Sequence, residues 1–322
     1  MKKSPLLLKN MNNDTKQKLT VSLALIAMMV IFTVASPYFL KVDNIMTIAL
    51  QTAITSITGY GLTFVLISSA VDLSVGSNIA FTGVMCAMLI QAHVPLWLVI
   101  PITLLIGGCV GTLNAIMVAK MQMPPFIATL GAQMALRGLS MAITNAKPVY
   151  VEVLPNFKQL AQYRLFGVIP LPVVYMLILA VIASFLLKKT VIGRNVYAVG
   201  SNEEAAKLSG INIVKIRVFA YMFSGIMAAV AGIIMTSRVN SGQPSIAVGY
   251  EANAVAAAVI GGTSMRGGHG SISGTILGAF ILGVLMNGLN LMNISQNWQM
   301  FATGIVVIFA VYFDKLRSMR DA

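Results

Sequence analysis

The chain has 322 residues, of which 57% are hydrophobic and only 10% charged, and its mean hydropathy is +0.85. A soluble domain of this length does not have such a composition, so the chain is a polytopic membrane protein. Its net charge of +13 comes from basic residues at the ends of apolar runs, where they set orientation in a membrane, and no nucleic-acid partner is expected.

The N-terminal segment could be a cleaved signal peptide or a first membrane span. Lysines are frequent in residues 1–18 and precede an apolar run, 19–36. This run is longer than the apolar part of a signal peptide, which has about 7–15 residues, and further apolar runs follow it. We therefore interpret 1–18 as a tail and 19–36 as the first transmembrane helix.

The chain contains about ten apolar runs, most of them near the length of a transmembrane helix, which is roughly 17–25 residues. The pattern predicts an all-α fold, a polytopic membrane helical bundle of about ten transmembrane helices. The predicted spans are 19–36, 45–68, 74–92, 96–118, 126–144, 170–187, 217–236, 253–266, 273–290 and 298–313.

The basic residues predict orientation, because Lys and Arg concentrate in cytoplasmic segments. If the N-terminus is inside and the chain crosses ten times, most of the 22 Lys and Arg residues lie in cytoplasmic segments. Cytoplasmic tails at 1–18 and 317–322 would then flank a single transmembrane domain, 19–316, whose loop 188–217 is also cytoplasmic. The longer outer loops, which are either connectors or surfaces for a soluble partner, are 145–169 and 240–253.

The loop 188–217 is the longest polar interruption of the chain. Its Ser201 and Glu204 have the spacing of a capping box, which predicts a short helix that begins near Asn202. Gly210 is a typical helix-ending residue. The loop is either an ordered connector or a helix on which a soluble partner docks.

Two breaks interrupt the apolar runs, at 68–77 and at the glycine-dense segment 261–270. Irregular backbone within a membrane requires protein or a water-filled cavity to satisfy its polar groups. Asp72, in the first break, is the one acid within the apolar region. It either forms an ion pair with Arg137, caps the following helix or carries a proton.

Polar residues within the spans are either parts of a translocation path or partners in hydrogen bonds between helices. As candidates for the path we select Asp72, Ser74, Asn114, Arg137, Asn253 and Asn287.

A weak internal similarity relates two late segments, 126–131 and 301–304, which read FIATLG and FATG. Each opens a predicted span, and the two spans run in opposite directions in the predicted topology. This predicts an inverted internal repeat, as is found in many transporters.

Motifs for catalysis are absent from the sequence: it has no phosphate-binding loop, no dinucleotide fingerprint and no metalloprotease or hydrolase motif. Cys86 and Cys109 lie in apolar runs and are interpreted as small buried apolar residues, while His93 and His269 are far apart in sequence. We therefore expect no enzymatic activity, no catalytic residue, no metal site and no cofactor bound by this chain.

Several segments, in order along nearly the whole chain, resemble the membrane subunits of bacterial ABC importers for monosaccharides, of the ribose, xylose and galactose type. The ribose permeases are the nearest in pattern. The segments that carry the resemblance are 71–77 (VDLSVGS), 125–131 (PFIATLG), 193–210 (GRNVYAVGSNEEAAKLSG), 249–251 (GYE) and 259–264 (VIGGTS).

The resemblance implies a multi-pass permease of the bacterial inner membrane that forms a homodimer or a similar heterodimer. It would receive a sugar from a periplasmic binding protein and be driven by a separate cytoplasmic ATPase, which binds the ATP. The segment 193–210 would contact that ATPase through Gly193, Arg194, Ser201, Glu204, Ala205 and Gly210.

Two alternatives have different energy sources. A proton-coupled secondary transporter would use Asp72 as its proton carrier and would need no ATPase. A passive channel would need neither a proton gradient nor an ATPase. The sugar itself is left open by the sequence, with ribose as the nearest and rhamnose, inositol or related sugars as other possibilities.

Overall fold

The computed structural model describes residues 13–151 and 154–318, and in these residues the chain forms 13 α-helices and two small sheets. The helices are α1 (Asn13–Ala35), α2 (Val42–Ile67), α3 (Val75–Gln91), α4 (Leu96–Ala119), α5 (Pro125–Thr144), α6 (Gln159–Gln162), α7 (Leu171–Lys189), α8 (Val191–Ser201), α9 (Glu203–Leu208), α10 (Ile213–Val239), α11 (Tyr250–Ile260), α12 (Ile272–Leu291) and α13 (Gln296–Ser318). The strands are β1 (Val149–Tyr150), β2 (Arg164–Leu165), β3 (Ile169–Pro170) and β4 (Ser241–Gly242).

The long helices coincide with the predicted apolar runs, and the all-α helical bundle is confirmed. Seven helices in the described part of the chain are long and apolar enough to cross a membrane, while α3 and α11 are shorter apolar helices. The count of about ten crossings is therefore not confirmed. The predicted span 253–266 was placed too late in the sequence, because α11 ends at Ile260 and turns and irregular backbone follow.

The buried centre of the bundle is an antiparallel pair, α2 and α10. The ring of Phe64 lies 4.7 Å from that of Phe223 and 6.0 Å from that of Phe219. Gly61, which comes earlier in α2, lies against Ser224 and Met227, which come later in α10, so the two helices run in opposite directions. Most of the apolar core residues belong to these two helices and their neighbours. Helices α1, α5 and α7 lie at the perimeter with long exposed apolar faces, as is expected of helices that contact lipid.

Glycines allow α4 to approach α10 closely. A Cβ atom at Gly111 would overlap the carbonyl oxygen of Tyr221, and one at Gly107 would lie 2.5 Å from that of Gly225. No side chain fits in these gaps, so backbone packs directly on backbone, as is common between membrane helices.

The helices α2–α5 and α10–α13 form two similar units. Helix α3 packs against α5 and α10, and its counterpart α11 packs against α13 and α2. Likewise α4 packs on α10, as α12 packs on α2. Because α2 and α10 are antiparallel, the two units have the inverted relationship that the repeat hypothesis requires.

Local backbone features support the same correspondence. Thr129 in α5 and Thr303 in α13, which carry the similarity seen in the sequence, are both buried, and each donates a hydrogen bond to the carbonyl four residues earlier. Left-handed residues follow the matching helix ends in both units: Ser69 and Asn240, His93 and Gly262, Gln122 and Asn293.

The connections between helices collect at two ends of the bundle. At one end, which we call the α8 end, lie the connections 68–74, 120–124, 190–212 and 261–271. At the other, the sheet end, lie those at 36–41, 92–95, 145–170, 240–249 and 292–295, including the β1–β4 pair that joins Val149 to Gly242.

The two cysteines differ in burial, which corrects the prediction that both are buried. Cys86 is buried in α3, but Cys109 lies on an exposed face of α4. An apolar run in the sequence does not distinguish a face toward protein from a face toward lipid.

Candidate functional site

Helix α3 begins in the interior of the bundle. The side-chain amide of Asn78, in its first turn, lies 3.5 and 3.4 Å from the carbonyl oxygens of Gly107 and Gly225, which are near the middle of α4 and α10. From there α3 runs to the sheet end, where Gln91 donates a hydrogen bond to the carbonyl of Tyr150. The connection 68–74 therefore enters the bundle from the α8 end.

Asp72 lies in this connection and is 1% exposed. Its Oδ1 accepts hydrogen bonds from the backbone N–H and the hydroxyl of Ser74, at 3.0 and 2.6 Å, and its Oδ2 accepts one from Ser224 at 3.0 Å. Asn114 of α4 adds a longer contact to Oδ1, at 3.4 Å, and donates to the Ser74 hydroxyl at 2.7 Å. Three of the predicted path residues, Asp72, Ser74 and Asn114, are thus brought together.

These contacts give Asp72 a local structural task. The bond to the Ser74 N–H is not a helix cap, because Ser74 is itself the N-cap residue of α3, but it holds the connection just before the helix, and the bond to Ser224 ties the connection to α10. Each of these contacts places a donor on a carboxylate oxygen, so the carboxylate is held in place on both oxygens.

The predicted ion pair between Asp72 and Arg137 is wrong. Arg137 instead donates from one guanidinium nitrogen to the carbonyl oxygens of Pro244 and Ile246, both at 2.7 Å. The connection after α10 is irregular at this point and leaves carbonyls that a neighbouring helix must satisfy, and α5 supplies Arg137 for this purpose. The sequence indicates that a buried charge needs a partner but not which one.

A second acid, Glu251, was assigned to an outer loop and lies instead in the first turn of α11. Its Oε1 accepts a hydrogen bond from Gln133 at 3.0 Å, and its Oε2 is buried without a hydrogen-bond partner in the described part of the chain. That Oε2 lies against Gly76, where an added Cβ would overlap it. A glycine at the N-cap position, Gly249, with an acid two residues later is a helix-start signal in the sequence that could have revealed it.

The starts of two short helices therefore face each other inside the bundle. Gly76 is in the first turn of α3 and Glu251 in the first turn of α11, so the positive ends of both helix dipoles point toward this region. Carboxylates are favoured there. Discontinuous helices that meet near the middle of a bundle are typical of substrate pathways in transporters.

The remaining predicted path residues are not part of this cluster. Asn287 of α12 forms a reciprocal amide pair with Asn44 of α2, with N–O distances of 2.9 and 3.0 Å, so it joins two helices. Asn253 is half-buried in the first turn of α11. In the described residues no hydrogen bond links either of them to Asp72.

The polar segment between α7 and α10 forms two helices instead of the single predicted one. Thr190 caps α8 by accepting from the N–H of Gly193, and Asn202 caps α9 by accepting from that of Ala205 at 2.9 Å. The predicted capping box at Ser201 is therefore wrong, since Ser201 is the last residue of α8. Helix α8 was missed because Gly193 and Gly200 have low helix propensity.

Exposure differs among the six predicted ATPase-contact residues. Gly193 is buried against the carbonyls of Leu186 and Leu187, while the others are exposed: Arg194, Ser201, Glu204, Ala205 and Gly210. Gly210 has a φ of 82°, as predicted for a helix-ending residue. Leu208, which the sequence did not single out, is 90% exposed at the end of α9, and an exposed apolar side chain beyond the membrane helices is suited to a protein contact.

Close contacts join α8 to the breaks in the bundle. We call Ile67, Ser69, Gly200, Arg266 and Gly268 the α8 junction. Here the N–H of Gly268 donates to the carbonyl of Ile67 at 2.9 Å, and the Ser69 hydroxyl lies 3.0 Å from the carbonyl of Gly200 and 2.5 Å from that of Arg266. A Cβ at Gly200 would overlap the Ile67 carbonyl. The end of α2, the end of α8 and the glycine-rich loop are therefore one packed unit.

A cavity of about 680 Å³ opens beside this junction at the α8 end. The ion pair between Glu203 and Arg217 lies in its wall, together with Lys207 and the two prolines at the start of α5, Pro124 and Pro125. The cavity therefore combines charged side chains from α9 and α10 with the start of α5.

The hydrogen bonds of the Asp72 cluster hold its polar side chains in fixed positions inside the bundle. Among the described residues no group of three or more His, Cys, Asp or Glu is arranged to hold a metal ion. The arrangement provides a polar centre at the starts of α3 and α11. Helix α2 connects this centre to the exposed segment formed by α8 and α9.

Comparison with known proteins agrees with this geometry. A family described as the permease component of a branched-chain amino acid transport system matches residues 44–311. The chain is 43% identical to the ribose import permease protein RbsC of Haemophilus influenzae, over 91% of each chain. It is 40% identical to RbsC of Escherichia coli K12, over 92% and 93% of the two chains, and 39% identical to RbsC of Bacillus subtilis, over 94% of each.

No solved structure shows a significant match to the chain. The family match nevertheless covers α2–α12 and most of α13, including both broken helices and the α8–α9 segment. The chain therefore belongs to this family of transport-system permease components.

Proposed function

We propose that the chain is the permease subunit of a binding-protein-dependent ABC importer and that it forms the membrane pathway for ribose or a similar monosaccharide. The observation that carries the proposal is similarity over more than nine-tenths of the chain to permeases named for ribose import. A permease named for D-allose transport, 37% identical, supports the same substrate class.

The energy source in this proposal is a separate cytoplasmic ATPase. The sequence has no phosphate-binding loop, so ATP would bind to the partner. The exposed residues of α8 and α9, with Leu208 among them, would form the contact. This is supported by the direct packing of α8 on the end of α2, through which a displacement would reach the connection that holds Asp72.

The orientation in this proposal follows the distribution of basic residues. The α8 end would face the cytoplasm, and the sheet end would face the periplasm and receive the sugar-binding protein. A second permease copy, identical or similar, would complete the pathway. Helix α5 is suited to that contact, because Cβ atoms added at Gly131 and Gly138 would meet nothing within 4 Å.

Reconstituted transport tests the energy source. The proteoliposomes contain the permease and its co-purified ATP-binding subunit, and sugar-binding protein is added. They should accumulate radiolabelled ribose when ATP is present on the side of the membrane where the ATP-binding subunit lies. An uncoupler should leave this uptake unchanged. Uptake without any ATP-binding subunit that collapses with an uncoupler would identify a proton-coupled transporter instead.

A variant at the proposed contact tests the role of α9. Ala205 is exposed, and Ala205→Glu should abolish ATP-driven uptake because a longer charged side chain would separate the docking surfaces. Ala205→Ser, the matched control, should transport normally. Normal uptake by Ala205→Glu, with normal amounts of protein in the membrane, would refute the docking role while leaving the importer proposal intact.

A further inference from the structure

A β-hairpin before α7 exposes an aromatic side chain at its tip. Strands β2 and β3 pair Leu165 with Ile169, and the turn between them contains Phe166 and Gly167 with φ of 53° and 73°. Two successive left-handed residues form the type of turn that is common in tight hairpins. Phe166 adopts this unfavourable backbone conformation while its side chain is 86% exposed, so the hairpin presents it outward.

The hairpin lies between α7, at the perimeter of the bundle, and the exposed first turn of α2. Strand β3 continues directly into α7, whose exposed face includes Leu177, Val181 and Phe185. On its other side the hairpin is joined to the first turn of α2 by an ion pair, 3.1 Å long, between Arg164 and Asp43. The connection to α7 places the hairpin at the end of a helix whose outward face contacts lipid, and the ion pair fixes the hairpin to the exposed start of α2.

Other side chains at the sheet end indicate a membrane–water interface at this level. Tyr38, next to α2, is 57% exposed, and the Nζ of Lys41 lies 4.3 Å from the centroid of its ring. Trp97 and Trp298, near the starts of α4 and α13, are 72% and 64% exposed. Aromatic rings with neighbouring basic groups are typical of the headgroup region.

We propose that the β2–β3 hairpin is a lipid-binding element that inserts Phe166 into the headgroup region of the membrane at the sheet end. Strand β3 continues directly into α7, whose outward face is apolar, and the exposed Lys41, two residues before Asp43, provides positive charge for phospholipid phosphates. The proposal requires only that the bundle is in a membrane, so it is independent of the substrate and of the ATPase.

Tryptophan fluorescence of the full-length chain tests the insertion. In a Trp97→Phe, Trp298→Phe background, Phe166→Trp gives a single reporter, and the protein is placed in bilayer discs of phosphatidylcholine and phosphatidylglycerol. Bromine atoms on the acyl chains near the headgroups should quench most of this emission, whereas iodide in solution should quench little. Val168→Trp, on the same hairpin, is a second reporter with the same expectation.

The matched control is Tyr150→Trp in the same background, because Tyr150 is 58% exposed at the same end but belongs to the β1–β4 sheet. Iodide should quench this control and bromolipid should not. If the Phe166→Trp reporter is quenched by iodide and not by bromolipid, the hairpin is not a lipid-binding element. If that reporter becomes shielded only after sugar-binding protein is added, the hairpin is a protein contact and the proposal is wrong.

Discussion

At the scale of single residues, a buried acid is often taken as evidence for proton transport. Here Asp72 accepts hydrogen bonds from Ser74 and Ser224 and has a longer contact from Asn114. A group held on both oxygens in this way stabilises the connection between α2 and α3. Its geometry therefore favours a structural role over the proton-coupled alternative.

Replacing Asp72 should affect stability more than transport. Asp72→Ala leaves buried donors without an acceptor, which should cost about 1–3 kcal/mol per donor in free energy of unfolding. Asp72→Asn keeps an acceptor oxygen and should be milder. Thermal unfolding in detergent can be followed by the reaction of a thiol dye with the buried Cys86, in a Cys109→Ser background.

Transport by Asp72→Asn is the deciding measurement for this residue. We expect ATP-driven uptake to persist with little change once corrected for the amount of folded protein. An Asn variant of native stability that has lost all uptake would show that the charge itself takes part in transport.

At the scale of helices, the contact between α4 and α10 depends on glycines. Gly111→Ala would force the two backbones apart, because its Cβ would overlap the Tyr221 carbonyl oxygen, and the free energy of unfolding should fall by about 1–3 kcal/mol. Gly304→Ala in α13 meets nothing within 4 Å and, as the matched control, should change stability by no more than about 1 kcal/mol. Equal stability of the two variants in thermal unfolding would contradict the close contact.

The α8 junction can be tested with a small change. Ser69→Ala removes the hydroxyl that contacts the carbonyls of Gly200 and Arg266, a loss worth roughly 1 kcal/mol or about fivefold in an equilibrium. We expect the ratio of sugar transported to ATP hydrolysed to fall by a similar factor.

The control for the junction is Thr33→Val in the reconstituted complex, since the Thr33 hydroxyl donates to the carbonyl of Met29 in its own helix, α1, away from the junction. That variant should keep the native ratio. Native coupling in Ser69→Ala would mean that the hydroxyl does not transmit the displacement of α8.

The sequence predicted helices well and their partners poorly. Apolar runs bounded by charge or Pro gave most helix ends to within a few residues, because burial in lipid requires long apolar segments. Tertiary partners do not follow from such runs: the Asn44–Asn287 pair joins residues 243 positions apart, and the acceptors of Arg137 are backbone carbonyls. Helix α8 could not be predicted from the sequence, because its glycines lower the helix propensity and are explained only by the close tertiary contacts of Gly193 and Gly200.

At the scale of the whole molecule, the connections at the two ends predict sidedness. With Cys109→Ser as background, Tyr150→Cys at the sheet end should react in intact cells with a maleimide that can pass the outer membrane but not the inner one. Lys207→Cys at the α8 end should react only after the inner membrane is permeabilised. The opposite pattern would reverse the proposed orientation, and labelling of both would show that one of the two ends is placed wrongly.

The paired units have a consequence for the transport cycle. The break after α2 enters the bundle from the α8 end, and the corresponding break after α10 enters from the sheet end. Each unit therefore shows, at its own end, the conformation that the other unit would adopt in the opposite state. If the two units exchanged conformations, the accessible side of the pathway would change without any new type of helix contact. A single duplicated architecture would then encode both the inward-open and the outward-open state, because the two units would exchange roles.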